Sequence, residues 1–126
     1  MPYAYDDVEN LEDKPVVGSK QCVALIKAYG KAPQTSLWRQ GAAVKGNLQI
    51  KTGTAIATFV NGVYPNNGTG NHAAFYVSQS AAGIIVVDQW SRSRTIRKRL
   101  LQFQGKDKNG NFIDPSNNGD AFSIIE

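Results

Sequence analysis

The sequence predicts an α+β domain in which one N-terminal helix packs on an antiparallel sheet. Three observations carry this expectation. An apolar face with helical spacing occurs early in the chain, at Cys22, Leu25, Ile26 and Tyr29. Strand-like stretches then follow one another at 55–60, 72–79, 84–90 and 95–103, with a short one at 121–125. The turn 80–83 is short, so the strands on either side of it pair as a hairpin.

Taken in order, residues 1–17 read as a polar lead-in that ends in the extended run Pro15, Val16, Val17. Gly18 and Ser19 punctuate the chain. Ser19 is a suitable N-cap, and a helix is expected over 20–29, ended by Gly30. Cys22 falls at the third position after that cap. Pro33 opens a second segment, a short helix over 34–40 that carries Trp38 toward the interior and stops at Gly41. Residues 44–53 read as a connector, and 61–71 and 105–120 as polar loops. In the hairpin, His72 lies opposite residues 88–91, so Asp88 or Gln89 stands beside it. The register decides which, because a one-residue slip reverses the faces.

Length and composition fit a single domain over 1–126. The chain is 41% apolar and 19% charged, a globular rather than a disordered balance. A lone cysteine forms no internal disulfide, so the fold does not depend on oxidation. The first residues are acidic and lack the apolar stretch of a signal peptide, and no apolar run is long enough to span a bilayer. The net charge of +4 owes much to Arg92, Arg94, Arg97, Lys98 and Arg99. That run reads as a solvated strand edge protected from aggregation. No recognition helix or stacking motif adjoins it, so nucleic acid is not an expected partner.

The residues that carry chemistry are the single cysteine and the single histidine. A helix start supplies free N–H groups and the positive end of the dipole, which favour a thiolate. An imidazole nearby accepts the thiol proton, and a polar third residue holds that imidazole. Each residue alone has a plainer reading: a buried inert thiol, a satisfied histidine at a strand end, a structural carboxylate. Together, in the order cysteine at a helix start, histidine at a strand start and acid on the next strand, they favour a nucleophilic site. One His and one Cys do not complete a usual zinc ligand set, and no metal or cofactor is expected.

Several stretches resemble papain-like amidases of the NlpC and CHAP types, which cut amide bonds in bacterial cell walls. GSKQCVALIK resembles their Gln-Cys helix start, GTAIATF their glycine-led strand and GNHAAFYV their histidine strand. The runs APQTSLWRQG, VKGNLQIKTGTAIATF, NHAAFYVSQ and GIIVVDQW are similar to type VI secretion amidase effectors and their BPSL-type relatives. The resemblance implies that Cys22 is the nucleophile, His72 the base and Asp88 the third member, with Gln89 the alternative. It implies peptidoglycan peptide as substrate, secretion without a signal peptide into the periplasm of a target cell, and a cognate immunity protein as partner. Gln21, Tyr64, Asn71, Gln89 and Trp90 are the expected substrate contacts, core packing being the competing role for Trp90. Two other functions fit the same residues, a cysteine peptidase acting on proteins and a non-catalytic wall-binding module.

Overall fold

A computed structural model describes residues 2–126. Helix α1 (Cys22–Gly30) precedes all six strands: β1 (Gln40–Ala43), β2 (Ala55–Thr58), β3 (Ala73–Gln79), β4 (Gly83–Asp88), β5 (Arg97–Gln102) and β6 (Phe122–Ile125). They form one sheet in the order β1-β6-β2-β3-β4-β5, and every pairing is antiparallel. From β2 to β5 this is the expected meander. The chain's final strand then inserts between β1 and β2.

Strand alternation divides the apolar residues between the two faces. Ala55, Ala57, Ala73, Phe75, Val77 and Val87 face the helix and pack against Val23, Leu25 and Ile26. The three alanines keep the sheet low beneath the helix. Ile56, Ala74, Tyr76, Ile84, Val86 and Leu101 face the other way and meet Val44, Phe122 and Ile124. The 44–50 connector and the loop after β5 cover that second core, contributing Ile50, Phe103 and Phe112.

Four expectations need correction. The lead-in is not merely polar: Val8 and Leu11 lie in a single-turn 3₁₀ helix, Val8–Leu11, and are fully buried in the core under α1. Their spacing of three puts both on one side of the turn. Ser19 is not the cap. Lys20 adopts a left-handed conformation (φ 72°), which interrupts any helix there, so Gln21 is the cap and Cys22 the first helical residue. At the other end Gly30 is still helical, and Lys31 supplies the left-handed residue that ends α1 (φ 58°). Finally, the segment 34–40 is helical only over Thr35–Leu37, and the chain then extends into β1 along β6. Trp38 is buried as expected, its indole N–H donating to the Pro33 carbonyl at 2.9 Å.

Gly53 shows why one turn before the sheet admits no side chain. Its φ is +96°, and a Cβ there would stand 2.2 Å from the Tyr5 carbonyl oxygen. The close approach lets the Tyr5 N–H donate to the Gly53 carbonyl at 2.9 Å, fastening the lead-in to the start of β2.

Candidate active site

The register of the β3–β4 hairpin decides what meets the histidine. Phe75 pairs with Val87 and Tyr76 with Val86. Extended by the same rule, this sets His72 opposite Trp90 and puts Asp88 on the histidine's face, with Gln89 on the other. The Asp88 carboxylate lies 2.6 Å from the His72 Nε2. Both side chains are almost wholly buried. Asp88 occupies Nε2, which leaves Nδ1 for the thiol of Cys22.

Gln89 serves a different purpose from the substrate contact expected of it. It is fully buried. Its amide accepts from the Val17 N–H at 3.0 Å and donates to the carbonyls of Val17 and Gln21 at 3.0 and 2.8 Å. These bonds clamp the chain on both sides of the left-handed Lys20 and so fix where α1 begins. Cys22 therefore sits at the mouth of the helix with its own N–H outside the intrahelical ladder.

The thiol stands against three groups. His72 lies beside it, the Tyr64 hydroxyl is 3.7 Å from Sγ, and the backbone N–H of Ala73 faces it. Burial works to raise the thiol pKa, but the histidine's hydrogen bond and charge, the Tyr64 hydroxyl and the Ala73 amide outweigh it, and the pKa falls below its ordinary 9.0. His72 moves the opposite way. Burial disfavours its cation, yet the hydrogen bonds and charges of Asp88 and Cys22 prevail and raise it from 6.5 to about 9. Asp88 is lowered from 3.8: burial opposes ionisation, but His72 and Arg99 overcome it. The three shifts together favour a thiolate, an imidazolium and a carboxylate in a row.

Tyr64 and Asn71 line the cleft and are tied together: the Asn71 amide donates to the Tyr64 hydroxyl oxygen at 3.2 Å. The Tyr64 ring rests on Trp38, 5.0 Å between centroids. Burial and the neighbouring Cys22 raise the Tyr64 pKa, so the phenol keeps its proton. Gln21 and Trp90 also line this cleft, of about 630 Å³, and Trp90 is part-exposed there rather than packed in the core.

Among the cleft residues that escaped the sequence reading are Arg99, Ser116 and Asn117. The basic run of β5 is not uniformly solvated. Lys98 pairs with Glu9 at 2.5 Å, while Arg99 turns to Asp88. The available signal was the alternation of β5, which puts Arg99 on the same face as the buried Leu101. Ser116 and Asn117 belong to a 3₁₀ turn, Pro115–Asn117, within a loop whose fold no local pattern announces. Among the described residues, no three His, Cys, Asp or Glu side chains gather to hold a metal ion, and no helix is long and apolar enough to cross a membrane.

A helix opened by cysteine, laid on an antiparallel sheet whose next strands bring histidine and aspartate, places this protein in the papain-like class. Within that class the chain belongs to the family described as domesticated amidase effector 2, which matches residues 3–125. A type VI secretion amidase effector 2 protein of Salmonella typhi is 47% identical over the full length of both chains. A domesticated amidase effector 2 of Ixodes scapularis is 37% identical, the match covering 87% of this chain and 73% of the relative. The solved structure of a type 6 secretion amidase effector 2 superposes with a TM-score of 0.92 at 44% identity, over 100% of this chain and 95% of that one.

Proposed function

We propose that this protein is a cysteine amidase that hydrolyses amide bonds in the peptide stems or crosslinks of peptidoglycan, as a type VI secretion effector. The observation that carries the reading is the thiol at the first residue of α1 beside an imidazole whose far nitrogen is held by Asp88 at 2.6 Å. The family and the relatives' names, amidase effectors of type VI secretion, support the reaction class and the route. The target compartment is the periplasm of a rival cell, and a cognate immunity protein that covers the cleft protects the producer.

The residues divide the reaction as follows. The Cys22 thiolate attacks the amide carbon, a C–S bond forms and the carbonyl electrons move to oxygen. The Cys22 N–H at the helix mouth is placed to receive that oxyanion. On collapse the C–N bond breaks, and His72 gives its Nδ1 proton to the departing amine. His72 then takes a proton from water, the hydroxide displaces the thiol from the thioester, and the acid leaves with Cys22 again a thiolate and His72 again charged. Asp88 holds the ring throughout.

Digestion of purified sacculi, read by muropeptide chromatography and mass, tests this. Wild-type protein is expected to release peptides with new carboxyl and amino ends, and their masses identify the bond. Intact sacculi after treatment with folded protein bearing a free thiol would overturn the reading.

The same site fixes a pH prediction. The active pair is thiolate with imidazolium, so kcat/KM rises as Cys22 ionises at a pH below 9.0 and falls as His72 loses its proton near about 9. Stability behaves otherwise. The raised His72 contributes fully below 6.5 and is lost as pH climbs through about 9, whereas the lowered Cys22 contributes fully above 9.0 and is lost as pH drops. The two contributions change in opposite directions with pH, so between 6.5 and about 9 they offset wherever Cys22 is already a thiolate and His72 still an imidazolium. Activity and melting temperature are therefore expected to be level over the same pH values. A melting temperature that slopes steeply there would contradict the ion pair.

A further inference from the structure

The geometry points to Arg99 as a positioning residue, the fourth member of an alternating row of charges that runs Cys22, His72, Asp88, Arg99. This rests on the amidase reading for its catalytic meaning but not for its test. Asp88 is fully buried and its side chain has two cationic neighbours. From one side comes the His72 Nε2 at 2.6 Å. From the other comes the Arg99 guanidinium, with Nε 3.1 and 2.9 Å from the two carboxylate oxygens and Nη2 2.8 Å from Oδ2. A fork that grips both oxygens fixes the plane of the carboxylate, which a single histidine contact cannot do.

Arg99 is itself fixed from outside. Its Nη1 donates to the Asn117 side-chain carbonyl at 3.1 Å, and its guanidinium carbon lies 4.8 Å from the centre of the Trp90 ring. With its side chain 29% exposed, it forms part of the cleft wall. The guanidinium thus joins the carboxylate beneath the imidazole to the loop and the aromatic side chain that border the cleft.

Charge balance gives the role a direction. A fully buried carboxylate facing one imidazolium would be drawn wholly toward it, and on acidification it would be protonated early. The permanent charge of Arg99 keeps Asp88 ionised as pH falls, so His72 keeps its partner and Cys22 keeps its imidazolium. The other ionisable groups around this row do not replace it. Cys22 faces His72 from the cleft, Tyr64 faces Cys22 rather than the imidazole, Arg97 pairs with Asp88 in register but is exposed, and Lys98 is turned to Glu9.

The test uses the lone thiol and needs no substrate. The rate of Cys22 alkylation by iodoacetamide is measured at pH 5 and pH 8 in wild type, Arg99→Gln and Arg99→Lys, with kcat/KM on a muropeptide as a parallel reading. In Arg99→Gln the ratio of the pH 5 rate to the pH 8 rate is expected to fall severalfold, because without the guanidinium the buried carboxyl takes up a proton as pH drops toward 5 and His72 loses its partner. Arg99→Lys, which restores the charge without the fork, is expected to recover much of that ratio. Asn117→Ala, which frees one end of Arg99 and leaves Asp88 untouched, serves if Arg99→Gln does not fold, and should move the ratio the same way by a smaller factor. Equal losses at both pH values, or an unchanged ratio, would overturn the role. Wild-type protein that alkylates as expected yet leaves sacculi intact would count against the amidase reading alone.

Discussion

Replacing Cys22 by alanine is expected to remove hydrolysis entirely while leaving the fold in place. The site holds one nucleophile, and among the described residues no other thiol exists to replace it. Loss of the attacking atom in an enzyme that works through a covalent intermediate costs on the order of 10⁶ in kcat. The structural cost is small because Cys22 is only part-buried and makes no backbone clamp. Gln89 and the Gln21 carbonyl, not the thiol, define the start of α1. Stability is expected to stay within about 1 kcal/mol of wild type by denaturant unfolding. Residual cleavage by pure Cys22→Ala protein would end the nucleophile assignment.

Asp88→Asn is expected to have the second-largest effect, a fall in kcat of roughly 10²- to 10⁴-fold, the upper figure being that for a triad whose histidine loses its carboxylate. One Asp88 oxygen accepts from His72 and from Arg99, and the other from Arg99 alone. An asparagine has one acceptor oxygen for these three donors, so its amide must point at a donor. The lost negative charge also removes a principal cause of the raised His72 pKa. The alkaline limb of the rate profile is therefore expected to move down from about 9, besides the fall in rate. A variant with reduced rate and an unmoved limb would show that Asp88 orients the ring without setting its charge.

Much of this site is legible in the residues themselves. The helical spacing of Cys22, Leu25, Ile26 and Tyr29 survives as the face of α1 that turns to the sheet. The short turn at 80–83 does produce the β3–β4 hairpin, and the structure supplies the register that brings Asp88 to His72. What stayed hidden depended on distant partners. β1 is short and largely exposed, with no alternation to mark it, and it becomes a strand only because β6 lies beside it. Val8 and Leu11 are two apolar residues in an acidic stretch, and their burial depends on a surface that α1 and the sheet complete later in the chain. Arg99 is one of five basic residues in a row of eight, and only its strand parity distinguishes it from Lys98.

The position of β6 has a kinetic consequence. β3, β4 and β5 are joined by brief links, so the half of the sheet that holds His72, Asp88 and Arg99 closes through contacts near in sequence. The other half closes through distant ones, Ile56 with Ile124 and Gln40 with Ile125. Loop closure over such separations is slow, and local hairpins form first. During refolding, pulsed hydrogen exchange is expected to protect the β3–β5 amides before those of β1, β2 and β6. Simultaneous protection of all six strands would refute that order. A chain that folds in this order assembles its acid–base half early and depends on its last strand to seal the sheet.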